Sequence, residues 1–432
     1  MYIRWIPFHE NDVIFLSKKI KQNFKIDSKR LTLHFGAWKK KLKVLVYNGN
    51  NDNIIGLSEN LVSTLTIPDT LPYDMYIRDD NLYLGPVIAY VVRKKHLNEE
   101  KLIQKDGCCQ NYAKIRGLIF FCAECGFDFH TETIKGYYYD PNSKKKLKSG
   151  VFPFPGAIYR RTRINKNILQ KINKQVNGKV FNAYIFNKWE MWNVLSETGF
   201  SHTPYTNMLD GIDSINNMFI RYDSVYLKPI IGRFGKGIQR VDKTPDGYLF
   251  KERSGIEMQV ENLTDVFDLI NKYKKNREYI IQQAVPLTYE NKLVDFRVIM
   301  QKDGKQEWTC SGILARIGFK GLINTNDVST LSLASDALKK IYGFQHEQAL
   351  EKEKEIIRVS TKACLIVERA YGYFGDVGID IVVDQNMDIW VLEINMLHQH
   401  VIAKYLGDDL QMYNQVVSKP FEYAKALAGF NE

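Results

Sequence analysis

The chain has 432 residues, more than one ordinary hydrophobic core can organise, so two or three domains are expected. A hydrophobic fraction of 45% and a charged fraction of 25% are typical of globular proteins, and they exclude a disordered or fibrous chain. No apolar run approaches the length that crosses a bilayer, and the charged first ten residues do not resemble a secretory signal. We therefore expect a cytoplasmic protein with no membrane partner.

The cysteine pattern argues against a disulfide scaffold and against zinc. Six cysteines are too few for a chain of this size to depend on disulfides. Cys122 and Cys125 form one Cys-x-x-Cys pair, but the second pair that a zinc site usually needs is missing. Reduced thiols in or near a core are the favoured interpretation.

The net charge of +11 is concentrated in two basic tracts, residues 18–43 and residues 142–174, and each tract holds ten Lys or Arg. Such tracts can attract polyanions. Solvated faces and loops remain the favoured interpretation, because the aromatic residues show no recognisable base-stacking motif, and a nucleic-acid partner is not favoured.

The order of the predicted elements divides the chain into three zones. Short alternating runs and turn clusters predict a β-rich domain over residues 1–84. A strand, a helical stretch near residues 111–124 and a second strand predict a small α/β domain over residues 85–165. The third zone, residues 166–425, mixes paired strands with helices predicted at residues 187–198, 264–274, 334–341 and 347–371. The fold class is therefore α+β.

The first candidate site residue in chain order is Lys188, at the start of the helix over residues 187–198. A lysine there is unfavourable for the helix dipole, so it could reach toward an anion or simply face solvent. Further on, Lys228 ends a strand that leads into a loop with glycines at 232, 235 and 237. Such a loop lets backbone N–H groups converge on an anion, but a glycine-rich hairpin turn explains it equally well.

Two further segments combine apolar strands with polar ends. The strand over residues 279–285 contains Gln282 to Val285, and a connector of this kind can enclose an adenine or can be a buried strand only. Arg297 and Arg316 each interrupt an apolar strand, and a buried arginine needs an anionic partner. For Arg297 that partner could be Asp295, two residues away on the same strand face, or a phosphate.

The last pattern is a C-terminal hairpin that carries Asp380, Glu393 and Asn395. Alternation predicts that Glu393 and Asn395 share a face with Ile389 and Val391, opposite Asp380. Because converging carboxylates in an apolar setting are costly, oxygen ligation of Mg²⁺ bridging to phosphates is the favoured explanation. A surface hairpin with polar residues near its end is the alternative.

In order and spacing, these pieces resemble an ATP-grasp domain, and more narrowly the chain is similar to the YheC/YheD family of ATP-grasp proteins associated with endospore coats. The phrases that carry the resemblance are Leu84-Gly85-Pro86-Val87-Ile88, Tyr159-Arg160-Arg161, Lys228-Pro229, Asp295-Phe296-Arg297-Val298, Ala315-Arg316, Thr325-Asn326 and Gly378-Ile379-Asp380-Ile381. The resemblance implies an ATP-grasp fold over residues 166–425, a pre-ATP-grasp domain over residues 85–165 and the N-terminal β-rich domain before it.

The resemblance also implies roles for the candidate residues, with ATP and Mg²⁺ as cofactors. Lys188 and Lys228 would contact the ATP phosphates, and Arg297 and Arg316, as catalytic residues, would meet the γ-phosphate or an acyl-phosphate. Asp380, Glu393 and Asn395 would hold the metal. The loop residues that would close over the phosphates are Gly232, Arg233, Phe234, Gly235, Lys236 and Gly237, and those that would line the adenine are Gln282, Gln283, Ala284 and Val285.

The chain departs from the family pattern at three places. Asp327 to Leu331 stand where a Gly-Gly pair commonly follows the Thr-Asn phrase, Gly378 replaces an arginine of some ligases, and glutamines replace a linker glutamate. We expect an ATP-dependent ligase that joins an unidentified carboxylate to an amine or similar nucleophile, linked to spore-coat formation and spore-coat partners. The alternative is a non-catalytic coat scaffold that retains a nucleotide site.

Overall fold

The computed structural model describes residues 1–48, 52–62, 65–98, 102, 111–232, 234–274, 276–406 and 410–430, which form four β-sheets and nine α-helices. Among the helices of these residues, none combines the length and the apolarity that crossing a bilayer requires.

The first sheet has seven strands in the order β1-β5-β2-β4-β3-β7-β6, and parallel and antiparallel pairings alternate across it. Its strands are β1 (Tyr2–Ile6), β2 (Val13–Ser17), β3 (Arg30–Phe35), β4 (Trp38–Tyr47), β5 (Ile54–Ser58), β6 (Asp74–Arg78) and β7 (Asn81–Gly85). One short helix, α1 (Lys18–Asn23), buries Ile20 beneath the sheet. These elements span residues 2–85, so β7 ends one residue beyond the predicted β-rich zone.

The second sheet has six strands in the order β11-β10-β9-β8-β12-β13, of which β9, β8, β12 and β13 are parallel. Its strands are β8 (Val87–Val91), β9 (Leu118–Asp128), β10 (Thr133–Tyr139), β11 (Leu147–Pro153), β12 (Ala157–Arg160) and β13 (Val180–Phe181), and its helices are α2 (Tyr112–Ile115) and α3 (Lys166–Gln175). One continuous hydrophobic core joins this sheet to the first sheet.

The predicted helix near residues 111–124 is wrong beyond its first turn. The α-helix ends at Ile115, and Gly117 takes a positive φ of 69° before strand β9 begins. The run Leu118 to Ala123 is buried on both faces, because β9 lies inside the sheet between β8 and β10. Continuous burial removes the alternation by which a strand is normally distinguished from a helix.

The third sheet is antiparallel, with the order β14-β19-β15-β16-β17-β18, and it packs against α5 and α6. Its elements are β14 (Thr206–Met208), α5 (Ile212–Phe219), β15 (Ser224–Pro229), β16 (Gln239–Thr244), β17 (Gly247–Glu252), β18 (Glu257–Val260), α6 (Leu263–Lys274) and β19 (Tyr279–Gln283).

The fourth sheet is also antiparallel, with the order β23-β22-β21-β24-β25, and β20 pairs with β21 outside this path. Its elements are β20 (Leu287–Tyr289), β21 (Lys292–Lys302), β22 (Trp308–Gly318), β23 (Val328–Leu333), α7 (Ala334–Tyr342), α8 (His346–Tyr371), β24 (Asp376–Val383), β25 (Ile389–Asn395) and α9 (Gln411–Leu427), with α4 (Lys188–Glu197) packed beside them. The four long helices predicted in this zone are confirmed to within one residue at each end.

The two faces of the fourth sheet have different neighbours. One face packs on α4, α7 and α8 in a large apolar core. At one end of the other face, Ile299 and Leu314 pack against Tyr413 and Val416 of α9. The rest of that second face lies opposite the third sheet, and the space between the two sheets is the cavity described next.

Candidate functional site

A cavity of about 720 Å³ lies between the third and fourth sheets, and it brings together nearly all the candidate residues of the sequence. Those that line it are Lys188, Lys228, Gly232, Phe234, Gly235, Lys236, Gln282, Gln283, Val285, Arg297, Arg316, Asp380, Glu393 and Asn395. These residues come from α4, from strand β15 and the glycine loop that follows it, from the connector and from four strands of the fourth sheet.

Two candidates do not line the cavity. Gly237, with φ of 81°, faces the Tyr279 hydroxyl, which a Cβ there would approach to 2.9 Å, so this glycine serves the turn. Ala284 donates its backbone N–H to the Ser224 carbonyl at 3.0 Å and continues the strand pairing. Arg233 lies outside the described residues.

The lysine at the start of α4 points into the cavity. Asn187 and Glu190 form a reciprocal capping box, which fixes the first turn of the helix. The ammonium group of Lys188 lies 3.1 Å from a carboxylate oxygen of Glu393, and its side chain is only 12% exposed. The solvent-facing alternative for this lysine is therefore wrong.

The second lysine is enclosed by protein. The pKa of Lys228 is lowered to about 8, mainly by burial and in part by the charge of Lys188, whereas Glu393 and Asp380 act in the opposite direction. Its ammonium group donates to the Gln282 side-chain oxygen, while the Gln282 amide donates to the Thr206 hydroxyl at 2.9 Å. A phosphate between the two lysines would meet two positive charges that little water shields.

The glycine loop packs directly over a second loop that holds two asparagines. Gly235 has φ of 68°, and a Cβ at this position would lie 2.7 Å from the Asn326 side-chain nitrogen and 3.2 Å from that of Asn324. The Asn324 nitrogen is buried and has no hydrogen-bond partner among the described residues. A close backbone approach therefore requires glycine here, and an unpaired donor lies beside the loop.

A β-bulge corrects the predicted geometry of the C-terminal hairpin. Asp380 pairs with Glu393 as predicted, but the register then shifts so that Ile381 pairs with Val391. The extra residue, Leu392, breaks the period of two. Ile389 and Val391 consequently face the apolar core of α8, whereas Glu393 and Asn395 face the cavity with Asp380, so the expected shared face is wrong.

Each strand arginine is paired with a carboxylate on a neighbouring strand. Arg297 donates from Nε to Asp380 Oδ1 at 2.6 Å, while Arg316 binds both oxygens of Asp295 at 2.6 and 2.7 Å. Asp295 is therefore not the partner of Arg297. Directly opposite residues on paired strands are closer than residues two apart on one strand, and the register places Arg297 opposite Asp380 and Arg316 opposite Asp295.

The carboxylate of Asp380 keeps one oxygen available for a cation. Burial opposes its ionisation, but Arg297 and Arg316 outweigh this effect and hold the pKa of Asp380 below its usual value. Both guanidiniums contact Oδ1, at 2.6 and 3.1 Å, whereas the nearest partner of Oδ2 is the Asn395 amide at 3.4 Å. Oδ2, the Glu393 carboxylate and the Asn395 amide oxygen form an all-oxygen donor set, which fits Mg²⁺.

A buried cluster next to the cavity was not predicted from the sequence. Asp376 lies four residues before Asp380 on the same strand, and it accepts from Nε2 of His398 and of His400, each at 2.9 Å. Burial lowers the pKa of His398 to about 4, so this ring is neutral near pH 7. The His-x-His pair that follows Asn395 is the only sequence signal for this cluster.

Although three potential metal ligands meet at Asp376, both of its oxygens are already occupied. Oδ1 also accepts from the Gln301 amide at 2.8 Å, and Oδ2 also accepts from the Arg161 guanidinium at 2.9 Å and from the Tyr159 hydroxyl. A cation there would lie beside the Arg161 guanidinium, whose side chain is only 13% exposed. We therefore interpret the cluster as structural: it joins the second sheet to the wall of the cavity.

The fold and this arrangement of lysines, glycine loop and carboxylates define an ATP-grasp protein. The chain belongs to the YheC/D-like ATP-grasp family, whose model matches residues 177–427. It is similar to endospore coat-associated protein YheD of Bacillus subtilis, at 24% identity over 409 residues, covering 89% of this chain and 88% of that protein. It is also similar to endospore coat-associated protein YheC of the same organism, at 21% identity over 53% of this chain and 64% of that protein.

Solved structures with a similar fold include ligases. The D-alanine-D-alanine ligase of Coxiella burnetii is 12% identical with a TM-score of 0.42, covering 79% of this chain and 96% of its own. The VanG D-Ala:D-Ser ligase of Enterococcus faecalis is 11% identical with a TM-score of 0.46, covering 79% of this chain and 99% of its own.

The lowered pKa of Lys228, about 8, predicts that nucleotide binding takes up a proton. A triphosphate favours the charged lysine and raises its pKa, so ATP affinity should fall as the pH rises above about 8. Calorimetry at about pH 8.5 in buffers with different ionisation enthalpies should detect proton uptake, which Lys228→Arg should abolish because a guanidinium stays charged. An affinity that does not change across this pH range would contradict the prediction.

Proposed function

We propose that this protein binds ATP with Mg²⁺ and catalyses an ATP-dependent ligation through an acyl-phosphate. The observation that carries the proposal is the convergence of two lysines, a glycine loop and three oxygen donors on one cavity between two sheets. The names of the relatives support a proposed role in spore-coat formation, with coat proteins as partners.

In the proposed reaction, a substrate carboxylate attacks the γ-phosphorus in line, and ADP leaves with the electrons of the broken P–O bond. An amine or similar nucleophile then attacks the acyl-phosphate carbon and releases inorganic phosphate. There is little covalent chemistry for side chains in such a transfer, so positioning and charge stabilisation supply most of the catalysis. Lys188 and Lys228 neutralise phosphate oxygens, and the glycine loop excludes water above them.

The metal would be held by Asp380 Oδ2, Glu393 and Asn395, where it would neutralise charge on the phosphate oxygens as the P–O bond breaks. Glu393 would then exchange its ion pair with Lys188 for the metal, which frees that lysine for a phosphate. Arg297 uses only its Nε on Asp380, and its terminal nitrogens have no hydrogen bond within the described residues. They are the donors that we assign to the transferred phosphoryl group.

ADP release tests this function. With Mg-ATP and pools of carboxylates and amines, ADP should form only when a pool contains both substrates, and Lys228→Met should reduce the rate by at least about tenfold. Lys144→Met, on an exposed loop of the second sheet, is the matched control and should leave the rate unchanged. Tight ATP binding with no ADP from any pool would contradict the ligase proposal.

A non-catalytic coat scaffold is the second candidate, and one observation favours it. Residues 328–331 line the cavity as part of strand β23 rather than as a glycine loop, so bulky side chains occupy space beside the phosphates. If Lys228→Met abolishes ATP binding while spore assembly in a host that carries the variant stays normal, the nucleotide is incidental to the coat role.

A further inference from the structure

The basic tract at residues 18–43 is not one solvated surface, because strand alternation divides it between two faces of the first sheet. Leu31 and Leu33 of β3 point into the core, and the side chains between them point outward. Strands β4, β3, β7 and β6 lie side by side, so their outward side chains form ordered rows across the sheet.

The first row is aromatic. The pairing registers align Lys39, His34, Tyr83 and Tyr76 across the four strands. The rings of His34 and Tyr83 stack with centroids 4.5 Å apart, and those of Tyr83 and Tyr76 stack at 4.6 Å. His34 has no other ring contact among the described residues, and Asn81 fixes its orientation through a 2.8 Å hydrogen bond. The three rings therefore form one aromatic surface on the outward face, with Lys39 beside its His34 end.

The next rows are basic and polar. Lys41, Thr32, Asn81 and Arg78 form the second row, and Lys43 with Arg30 forms part of a third. Lys43 is paired with Glu10 at 2.6 Å. The four remaining cations are exposed, and within the described part of the chain no ion pair neutralises them: Arg30, Lys39, Lys41 and Arg78.

We propose that this outward face of the first sheet binds single-stranded nucleic acid. Lysines two residues apart on β4 recur about every 6.8 Å along the strand, which forms a row of charges that an extended phosphate backbone can follow. The adjacent ring stack supplies the sequence-independent base contact that such surfaces combine with positive charge. An acidic polypeptide would use the cations but would leave the aromatic row without a partner.

Anisotropy of a fluorescein-labelled oligo(dT) of about 20 nucleotides, titrated with the full chain at increasing salt, tests the proposal. Arg30→Gln/Lys39→Gln/Lys41→Gln should reduce the slope of log affinity against log salt by about 2, since each single-strand phosphate contact contributes about 0.7. Tyr83→Ser should weaken binding at least about fivefold and leave that slope unchanged.

A charge-matched control separates this face from general basicity. Lys144→Gln/Lys166→Gln/Lys174→Gln removes three exposed charges from the other basic tract and should leave the slope as in the unaltered chain. Thermal unfolding of each variant shows that it is folded. The proposal is overturned if the unaltered chain does not bind at low salt, if the control loses as much affinity, or if poly-glutamate of equal charge competes as well as the oligonucleotide.

Discussion

Asp380→Asn is expected to abolish the part of ATP affinity that depends on Mg²⁺ while preserving or strengthening the binding of metal-free ATP. The substitution removes the negative charge of Asp380, a proposed metal ligand whose carboxylate contacts two guanidiniums. The proposed metal site loses a charged oxygen donor. Metal-free triphosphate should bind at least as tightly as before, because the potential around Lys188, Lys228 and the two arginines becomes more positive.

Calorimetry with a non-hydrolysable ATP analogue, with Mg²⁺ and then with EDTA, measures both changes in one protein. The unaltered chain should lose at least about tenfold in affinity when EDTA replaces Mg²⁺, and Asp380→Asn should lose almost nothing. Asp388→Asn, on the exposed turn of the same hairpin, removes the same charge outside the cavity and should behave like the unaltered chain.

A loss of stability in Asp380→Asn must be distinguished from a loss of metal binding, because Asp380 also pairs with two buried arginines. An isosteric amide keeps one acceptor oxygen but not the charge, so some loss of stability is expected. Glu393→Gln distinguishes the two effects, since Glu393 is a third exposed and contacts a lysine rather than the buried arginines. If Glu393→Gln retains the full Mg²⁺ dependence, the assignment of these residues to a metal site is wrong.

The sequence could predict most of the residues that line the cavity, because short local patterns mark them. Lysine at a strand end, glycines in the following loop and a Glu-x-Asn strand end are each visible in fewer than ten residues. The long helices were equally predictable, since α8 keeps an apolar stripe over 26 residues. Grouping Lys188 with Asp380, nearly 200 residues later, rested on the family resemblance rather than on local pattern.

Pairing partners and faces could not be predicted, because they depend on register between distant strands. A single extra residue, Leu392, decides which face carries Glu393, and alternation alone cannot show where a bulge lies. The partner of Arg297 comes from a strand 83 residues later. The helix prediction over residues 118–123 fails for a third reason. These residues form a strand that is buried on both faces, and such a strand has no periodicity to detect.

Asp376→Asn is expected to lower the free energy of unfolding by about 3–5 kcal/mol, the range found when one partner of a buried ion pair is removed. This carboxylate is fully buried and accepts hydrogen bonds from five side chains: Tyr159, Arg161, Gln301, His398 and His400. Burial opposes its ionisation, yet the two imidazoles outweigh that cost and hold the pKa of Asp376 well below its usual value.

Urea unfolding measures this effect, with Asp388→Asn as an exposed control that should stay within about 0.5 kcal/mol of the unaltered chain. A double-mutant cycle with Arg161→Met tests whether the carboxylate ties the second sheet to the fourth, and it should give a coupling of about 1 kcal/mol or more. A loss below about 1 kcal/mol, with no coupling, would show that the cluster is not structural and would reopen it as a functional site.

The same cluster should make the fold sensitive to mild acid, and the sign follows from the pKa of His398. In the unfolded chain this histidine binds a proton near its ordinary pKa of about 6.5, whereas in the fold its pKa is about 4. Between these values only the unfolded state takes up the proton, so stability falls as the pH drops below about 6.5. His398→Gln should flatten that dependence, whereas His130→Gln, on an exposed turn, should preserve it. An unchanged slope in His398→Gln would mean that the acid sensitivity arises elsewhere.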